Sequence, residues 1–226
     1  MRPSILTNEE EQRIAETVAA MEERTGGEIA VAVIPESDDY GFRELLFSVI
    51  LGVVAFSIVL LFAPAVESFL AGLFWGYEGW ILAAAAGFVA LAVAGVAYLL
   101  AQIPAVDRAI VPGKVREEAV RRRALRHFVE AGVHDTKDRT GVLLFVSMME
   151  RRVELVADTG IAAKVPEREW KEIVATLTSG IGQGETATAL VAAVEGIGAI
   201  LADRVERRTD DMNELKNRPT QLESGS

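Results

Sequence analysis

The chain has no cysteine, which excludes disulfide bridges, cysteine-ligated zinc, iron–sulfur clusters and thiol nucleophiles. Histidine is almost as scarce. His127 and His134 are the only two, and Gly132 between them breaks the helical spacing a zinc pair would use, so no zinc is expected. No Walker-type loop is present: GIGQG at 180–184 lacks the lysine and the preceding strand that cradle phosphates, so no nucleotide is expected either. Ser147 has no GxSxG context and no evident His–Asp partners, which leaves nucleophilic catalysis by it without support. With a net charge of −10, the chain lacks the basic surplus that phosphate backbones select, so no nucleic acid is expected as a partner. The opening MRPSILTNEEEQRIAE has no apolar run and no small-residue cleavage site, and a cleaved secretory signal is not expected.

One further scarcity is local. Charged residues make up 25% of the 226 residues, yet they are nearly absent between Leu45 and Leu100. Residues 45–63 (LLFSVILGVVAFSIVLLFA) and 80–100 (WILAAAAGFVALAVAGVAYLL) contain none. Each is about the 20 residues a helix needs to cross a bilayer core. The link between them carries Phe69, Phe74, Trp75 and Tyr77, followed by Trp80, aromatic rings that favour a membrane–water interface, and reads as an interfacial loop. It contains no Lys or Arg, whereas Arg43, Arg108, Lys114, Arg116 and Arg121 flank the pair. The positive-inside rule therefore predicts a two-pass hairpin with the link outside and both soluble portions and both termini on the cytoplasmic side. In the second span Ala83, Gly87, Ala90, Ala94 and Ala97 recur at helical spacing, a surface for close approach to the first span.

The remaining sequence reads as one α/β domain split by this hairpin. Thr7 and Glu10 form a capping box before Ile14, Val18 and Met21, an amphipathic helix that ends at Gly26-Gly27. EIAVAVI at 28–34 is a buried strand stopped by Pro35. After the hairpin, residues 114–131 predict a helix with a basic surface, GVLLFVS at 141–147 a second strand, and RVELVAD at 152–158 a third. The short turn between the last two demands antiparallel pairing. Trp170, Ile173 and Leu177 mark one further helix, and Leu190, Val194, Ile197 and Leu201 another. A right-handed crossover makes the first two strands parallel, so the expected fold is α/β: a small mixed β-sheet flanked by helices and interrupted by a transmembrane α-helical hairpin. The expected boundaries are 1–43 for the first part of the domain, 44–103 for the hairpin, 104–208 for the remainder, and 209–226 for a polar tail that is extended or disordered.

In that topology the start of the first strand, the start of the second and the end of the third share one pole of the sheet. Glu28, Asp135, Asp138 and Asp158 converge there, with Thr140 nearby, and offer the oxygen ligands that Ca²⁺ or Mg²⁺ prefers. Taken singly, each carboxylate also reads as a cap or a solvated charge. Glu36, Asp38 and Asp39 follow the first strand and fall at the opposite pole, beside the hairpin. Arg116, Arg121, Arg122, Arg123 and Arg126 make a basic stripe that anionic lipid headgroups attract, diluted by Glu117, Glu118 and Glu130.

Four stretches resemble the TPM domain family: LTNEEEQRIAETVAAMEERTGGEIAVAVI, DRTGVLLFVSMMERRVELVADTGI, the helix containing VPEREWKEIVATL, and NELKNRP. The chain is most similar to a bacterial subgroup with an inserted membrane hairpin. The resemblance implies a small sheet covered by helices, divalent-cation binding, weak phosphatase activity, and a part in assembly or repair of membrane complexes. The family's acidic residue before its Gly-Val-Leu-Leu strand has its nearest counterpart in Asp138, displaced by one position from the common Asp-Asn-Gly form. The expected function is a binding, assembly or repair factor of the bacterial inner (cytoplasmic) membrane, with lipids and membrane proteins as partners; the alternative is a weak metal-dependent phosphatase.

Overall fold

The computed structural model describes residues 4–73, 78–205 and 213–224. Along the chain run α1 (Asn8–Glu22), β1 (Glu28–Ile34), α2 (Gly41–Leu61), α3 (Ala63–Leu73), α4 (Trp80–Ala101), α5 (Pro104–Ile110) and α6 (Gly113–Glu130). They are followed by β2 (Gly141–Ser147), β3 (Arg152–Ala157), α7 (Thr159–Ala162), α8 (Glu167–Gly182), α9 (Thr186–Arg204) and β4 (Thr220–Gln221). Two compact units result, one of Met1–Asp38 with Lys114–Ser226 and one of Asp39–Gly113.

The first unit is built on a four-stranded mixed sheet in the order β3-β2-β1-β4. β1 and β2 are parallel, with Glu28 opposite Gly141 and Ile34 opposite Ser147. β2 and β3 are antiparallel, with Val142 opposite Ala157. Strand alternation divides the apolar residues between two faces. Ile29, Val31, Val33, Val142, Leu144 and Val146 pack with Ile14 and Val18 of α1, Leu177 of α8, and Leu190, Val194, Ile197 and Leu201 of α9. Ala32, Ile34, Leu143 and Phe145 pack on the other side with Val120, Ala124 and Phe128 of α6 and with Val133. Both faces are covered, which is why β2 reads as an unbroken apolar run and is buried along its whole length. The capping box forms at the head of α1, with Thr7 N donating to Glu10 Oε2 at 2.8 Å and Glu10 N donating to Thr7 Oγ1 at 3.3 Å.

The tail is where the sequence reading and the structure part. Thr220 and Gln221 join the sheet as β4, parallel to Ala32 and Val33 of β1, and Leu222 N donates to Val33 O at 2.9 Å. Two residues carry too weak a strand pattern to register in sequence. Side chains hold the segment instead. Gln221 Oε1 accepts from Ile5 N and Leu6 N at 2.8 and 3.3 Å, while its Nε2 donates to Leu6 O at 3.0 Å and Glu11 Oε1 at 2.6 Å. Arg218 Nε donates to Glu11 Oε2 at 2.7 Å. The hydrogen bond from Gln221 holds the Glu11 carboxyl below its ordinary value against the opposing effect of burial, and Arg218 adds to the lowering.

In the second unit α2 packs along α4. A Cβ on Gly52 would stand 2.9 Å from Ala90 O and 3.1 Å from Ala94 Cβ, so only glycine permits this backbone approach. Ala86 and Ala97 of α4 are buried whereas Gly87 meets nothing within 4 Å, so the contact stripe is rotated slightly from the one expected. The link is not a plain loop: Ala63–Leu73 forms α3. Its aromatic residues Phe74, Trp75 and Tyr77 lie outside the described residues. Helix α2 starts at Gly41 and so takes in Arg43 and Glu44 ahead of the apolar run, and Glu44 Oε2 accepts from Gln102 Nε2 at 2.6 Å.

Among the described residues three helices are long and apolar enough to cross a membrane: α2, α4 and α9. Of their apolar windows 17% and 11% is buried in α2 and α4, against 44% in α9. Helix α9 uses its apolar side chains to build the core under the sheet. Large side chains such as Leu61, Phe88, Leu91 and Leu99 remain exposed on the other two.

Candidate functional site

The amino end of β1 and β2 gathers the most polar structure around buried acid. Glu28 N donates to Thr140 O at 3.2 Å, and Asp158 N donates to Gly141 O at 2.9 Å. Glu28 and Asp158 therefore flank Gly141 on neighbouring strands, and the pleat turns both side chains to the same face of the sheet. The loop before β2 is tied down on several sides. Thr140 N donates to Thr136 Oγ1 at 2.9 Å, Thr140 Oγ1 to Gly26 O at 2.8 Å, and Gly160 N to Arg139 O at 3.1 Å. A Cβ on Gly160 would come within 2.7 Å of Asp138 O and 2.6 Å of Arg139 O, so glycine lets the start of α7 close onto this loop. Arg139 itself adopts a left-handed conformation, φ 57°, uncommon for a long side chain.

Of the four carboxylates expected to converge, two are buried on either side of Gly141 and two are exposed on the loop before β2. Glu28 and Asp158 are buried, 7% and 5% exposed. Asp135 and Asp138 are exposed on the loop. Among the described residues no group of three or more His, Cys, Asp or Glu side chains is placed to hold a metal ion. Asp135 ends a 3₁₀ turn, Val133–Asp135, and Asp138 follows it on the exposed loop.

The two buried acids differ in what remains open on them. Glu28 Oε2 accepts from Leu215 N at 3.2 Å. Asp158 Oδ1 caps α7, accepting from Thr159 N at 2.6 Å and Thr159 Oγ1 at 3.2 Å. Its Oδ2 is buried without a hydrogen-bond partner, and the guanidinium of Arg139 stands 3.8 Å away. A buried carboxylate oxygen with lone pairs to spare is one hard donor of the kind Ca²⁺ or Mg²⁺ takes, and here the Arg139 guanidinium stands beside it. The tail contributes an acid that sequence reasoning missed. Glu214 Oε2 accepts from Lys137 N at 2.9 Å and so lies against the same loop. Only the pairing of residues 77 apart reveals it.

A second polar cluster, also missed, lies at the other end of the strands. Ser37, Ser147 and Glu150 are 7%, 0% and 2% exposed. Ser37 N donates to Glu150 Oε1 at 2.9 Å, Ser37 Oγ donates to Ser147 Oγ at 2.7 Å, and Ser147 Oγ passes the chain on to Glu150 Oε2. Ser147 thus serves as a link in a buried network, with no histidine in it. The sequence signal was the Ser-x-x-Glu spacing across the β2–β3 turn, visible but shared by many turns. Of the acidic group after β1, Asp38 pairs with Arg122 at 2.6 Å, and Asp39 Oδ1 accepts from Gly41 N, the first residue of α2, at 2.9 Å. His127 packs near Phe145 and His134 near Phe128, each with ring centroids 6.3 Å apart.

Residues 108–200, from α5 through most of α9, match the family model of the TPM domain. The chain carries a TPM domain. The match takes in β2, β3, the loop before β2 that bears Asp135 and Asp138, and Asp158 at the end of β3. The fold is similar to the NMR structure of BA42 protein from the psychrophilic bacterium Bizionia argentinensis, with a TM-score of 0.57 and 18% identity over 98% of this chain and 99% of that one. At that identity the likeness speaks for the TPM domain's fold alone. No curated protein matches the chain.

Proposed function

We propose that this TPM-domain protein is a two-pass anchored binding factor of the bacterial inner membrane that assists assembly or repair of membrane protein complexes. The observation that carries the reading is the separate unit of apolar helices, whose large side chains face outward along α2 and α4. Exposed apolar surface of that extent requires lipid or protein around it. The link between the helices lacks Lys and Arg, which supports an external link with the α/β unit and both termini cytoplasmic. Anionic headgroups are attractive partners for Arg121 and Arg126 of α6.

The same reading gives the domain a divalent cation, Ca²⁺ or Mg²⁺, at the Glu28–Asp158 end. Asp158 Oδ2 supports it, with Asp135 and Asp138 on the exposed loop before β2. Binding to the native state alone raises stability as ligand concentration exceeds the dissociation constant. Full-length protein in detergent, titrated with millimolar Ca²⁺ or Mg²⁺, is expected to show a rising melting temperature that Asp158→Asn removes. No shift with either ion overturns the cation. Cation-dependent turnover of a generic phosphomonoester, abolished by Asp138→Asn with Asp158→Asn, would replace the binding factor by the phosphatase. A reporter inserted beside Glu67 tests the topology, and cytoplasmic activity there reverses it.

A further inference from the structure

The sheet has two edges, and the chain treats them differently. At the β1 edge, β4 covers Ala32 and Val33, and Glu22 Oε1 accepts from Ile29 N at 2.9 Å. The β3 edge has neither device. Because Asp158 N donates to Gly141 O, residues 152, 154, 156 and 158 direct their backbone groups to β2, and Val153, Leu155 and Ala157 direct theirs outward. Among the described residues, no hydrogen bond reaches these outward groups from any element outside the sheet. An open strand of this kind is a template for pairing.

We propose that β3 pairs antiparallel with β3 of a second copy about a twofold axis at Leu155, joining two four-stranded sheets into one. Two independent features select this register. The outward groups of Val153, Leu155 and Ala157 are symmetric about Leu155, so only a ladder centred there satisfies all of them, Leu155 with the partner's Leu155 and Val153 with the partner's Ala157. The same register sets Arg152 opposite the partner's Asp158, a basic residue against an acidic one. Arg152 is held in its own chain by Glu117 at 3.5 Å, an exposed contact of the kind that is exchanged at little cost. A ladder shifted by one residue toward the turn places Glu154 against the partner's Glu154. The interface is isologous and closed, so pairing stops at two. Confinement of both copies to one membrane would raise their effective concentration.

The cysteine-free chain makes the test direct. In an antiparallel hydrogen-bonded pair the Cα atoms stand about 5.5 Å apart, inside the range a disulfide spans. Full-length Leu155→Cys in vesicles, treated with a mild oxidant, is expected to form covalent dimers. Val153→Cys alone should form none, and Val153→Cys with Ala157→Cys should form them again. Arg152→Glu on the Leu155→Cys background should cut the yield several-fold. On unsubstituted protein, hydrogen exchange at Val153, Leu155 and Ala157 should slow as the protein-to-lipid ratio rises. Absence of Leu155→Cys dimers together with concentration-independent exchange overturns the proposal, as does equal crosslinking by Val153→Cys alone. Crosslinks from Leu155→Cys in native membranes only to chains of other mass would assign the edge to a different partner and overturn the second copy.

Discussion

Both ends of the sheet bury a carboxylate, and they bury it in opposite ways. Glu150 gives both oxygens to Ser37 and Ser147 within a network of short internal bonds. Asp158 gives one oxygen to the head of α7 and keeps the other without a hydrogen bond, near an exposed guanidinium. Burial alone therefore does not mark a site. What separates a structural latch from a candidate binding group is whether the fold has already used the lone pairs.

The comparison predicts unequal costs. Glu150→Ala strands the Ser37 amide and two hydroxyls in a buried place, and the expected loss is about 3 kcal/mol, seen as a lowered melting temperature of the full chain in detergent. A loss below about 0.5 kcal/mol would mean that water takes over the role of the carboxylate. Gln221→Ala removes the four bonds that hold the tail to Leu6, Ile5 and Glu11, with an expected loss of about 1–2 kcal/mol. Because Leu215 reaches Glu28 from the same segment, this change should also alter cation response at the Asp158 end, whereas Glu150→Ala should leave that response in place. Asp158→Asn keeps a capping side chain and should cost less than about 1 kcal/mol without added cation. A larger cost would make Asp158 a latch like Glu150 and erase the distinction.

The smallest effect is in acid. Glu11 is held below the ordinary carboxylate value chiefly by Gln221, so its contribution is present above that ordinary value and is lost as pH falls through the depressed one. Glu154 is pushed the other way, chiefly by burial; its contribution is present below the ordinary value and is lost as pH rises through the elevated one. Melting of Glu11→Gln across this range should decline less steeply toward low pH than the unsubstituted chain, and Glu154→Gln should decline more steeply.

The strands and their pairing were legible in sequence because EIAVAVI and GVLLFVS are unbroken apolar runs and the turn at Met149 permits one geometry. The topology puts Glu28 and Asp158 at one end of the sheet, on either side of β2. It leaves the directions of Asp135 and Asp138 open, since a pole is several residues wide and loop winding decides where a side chain points. The β4 strand and the Ser37–Glu150 latch join residues 113 apart or more, and each has only a residue or two of local signal. The short helix in the hairpin link was hidden by its aromatic residues, which suit an interface in any conformation.

The insertion between β1 and α6 also sets an order of events. The latch joins residues 113 apart in sequence, so β1 leaves the ribosome long before β2 exists to pair with it. Pairing across so long a loop is slow, while the helices of the hairpin form within their own stretch of chain. The unit of apolar helices can be complete while the α/β unit is still open, and β4, made after the other strands, is the piece that closes the β1 edge of the sheet.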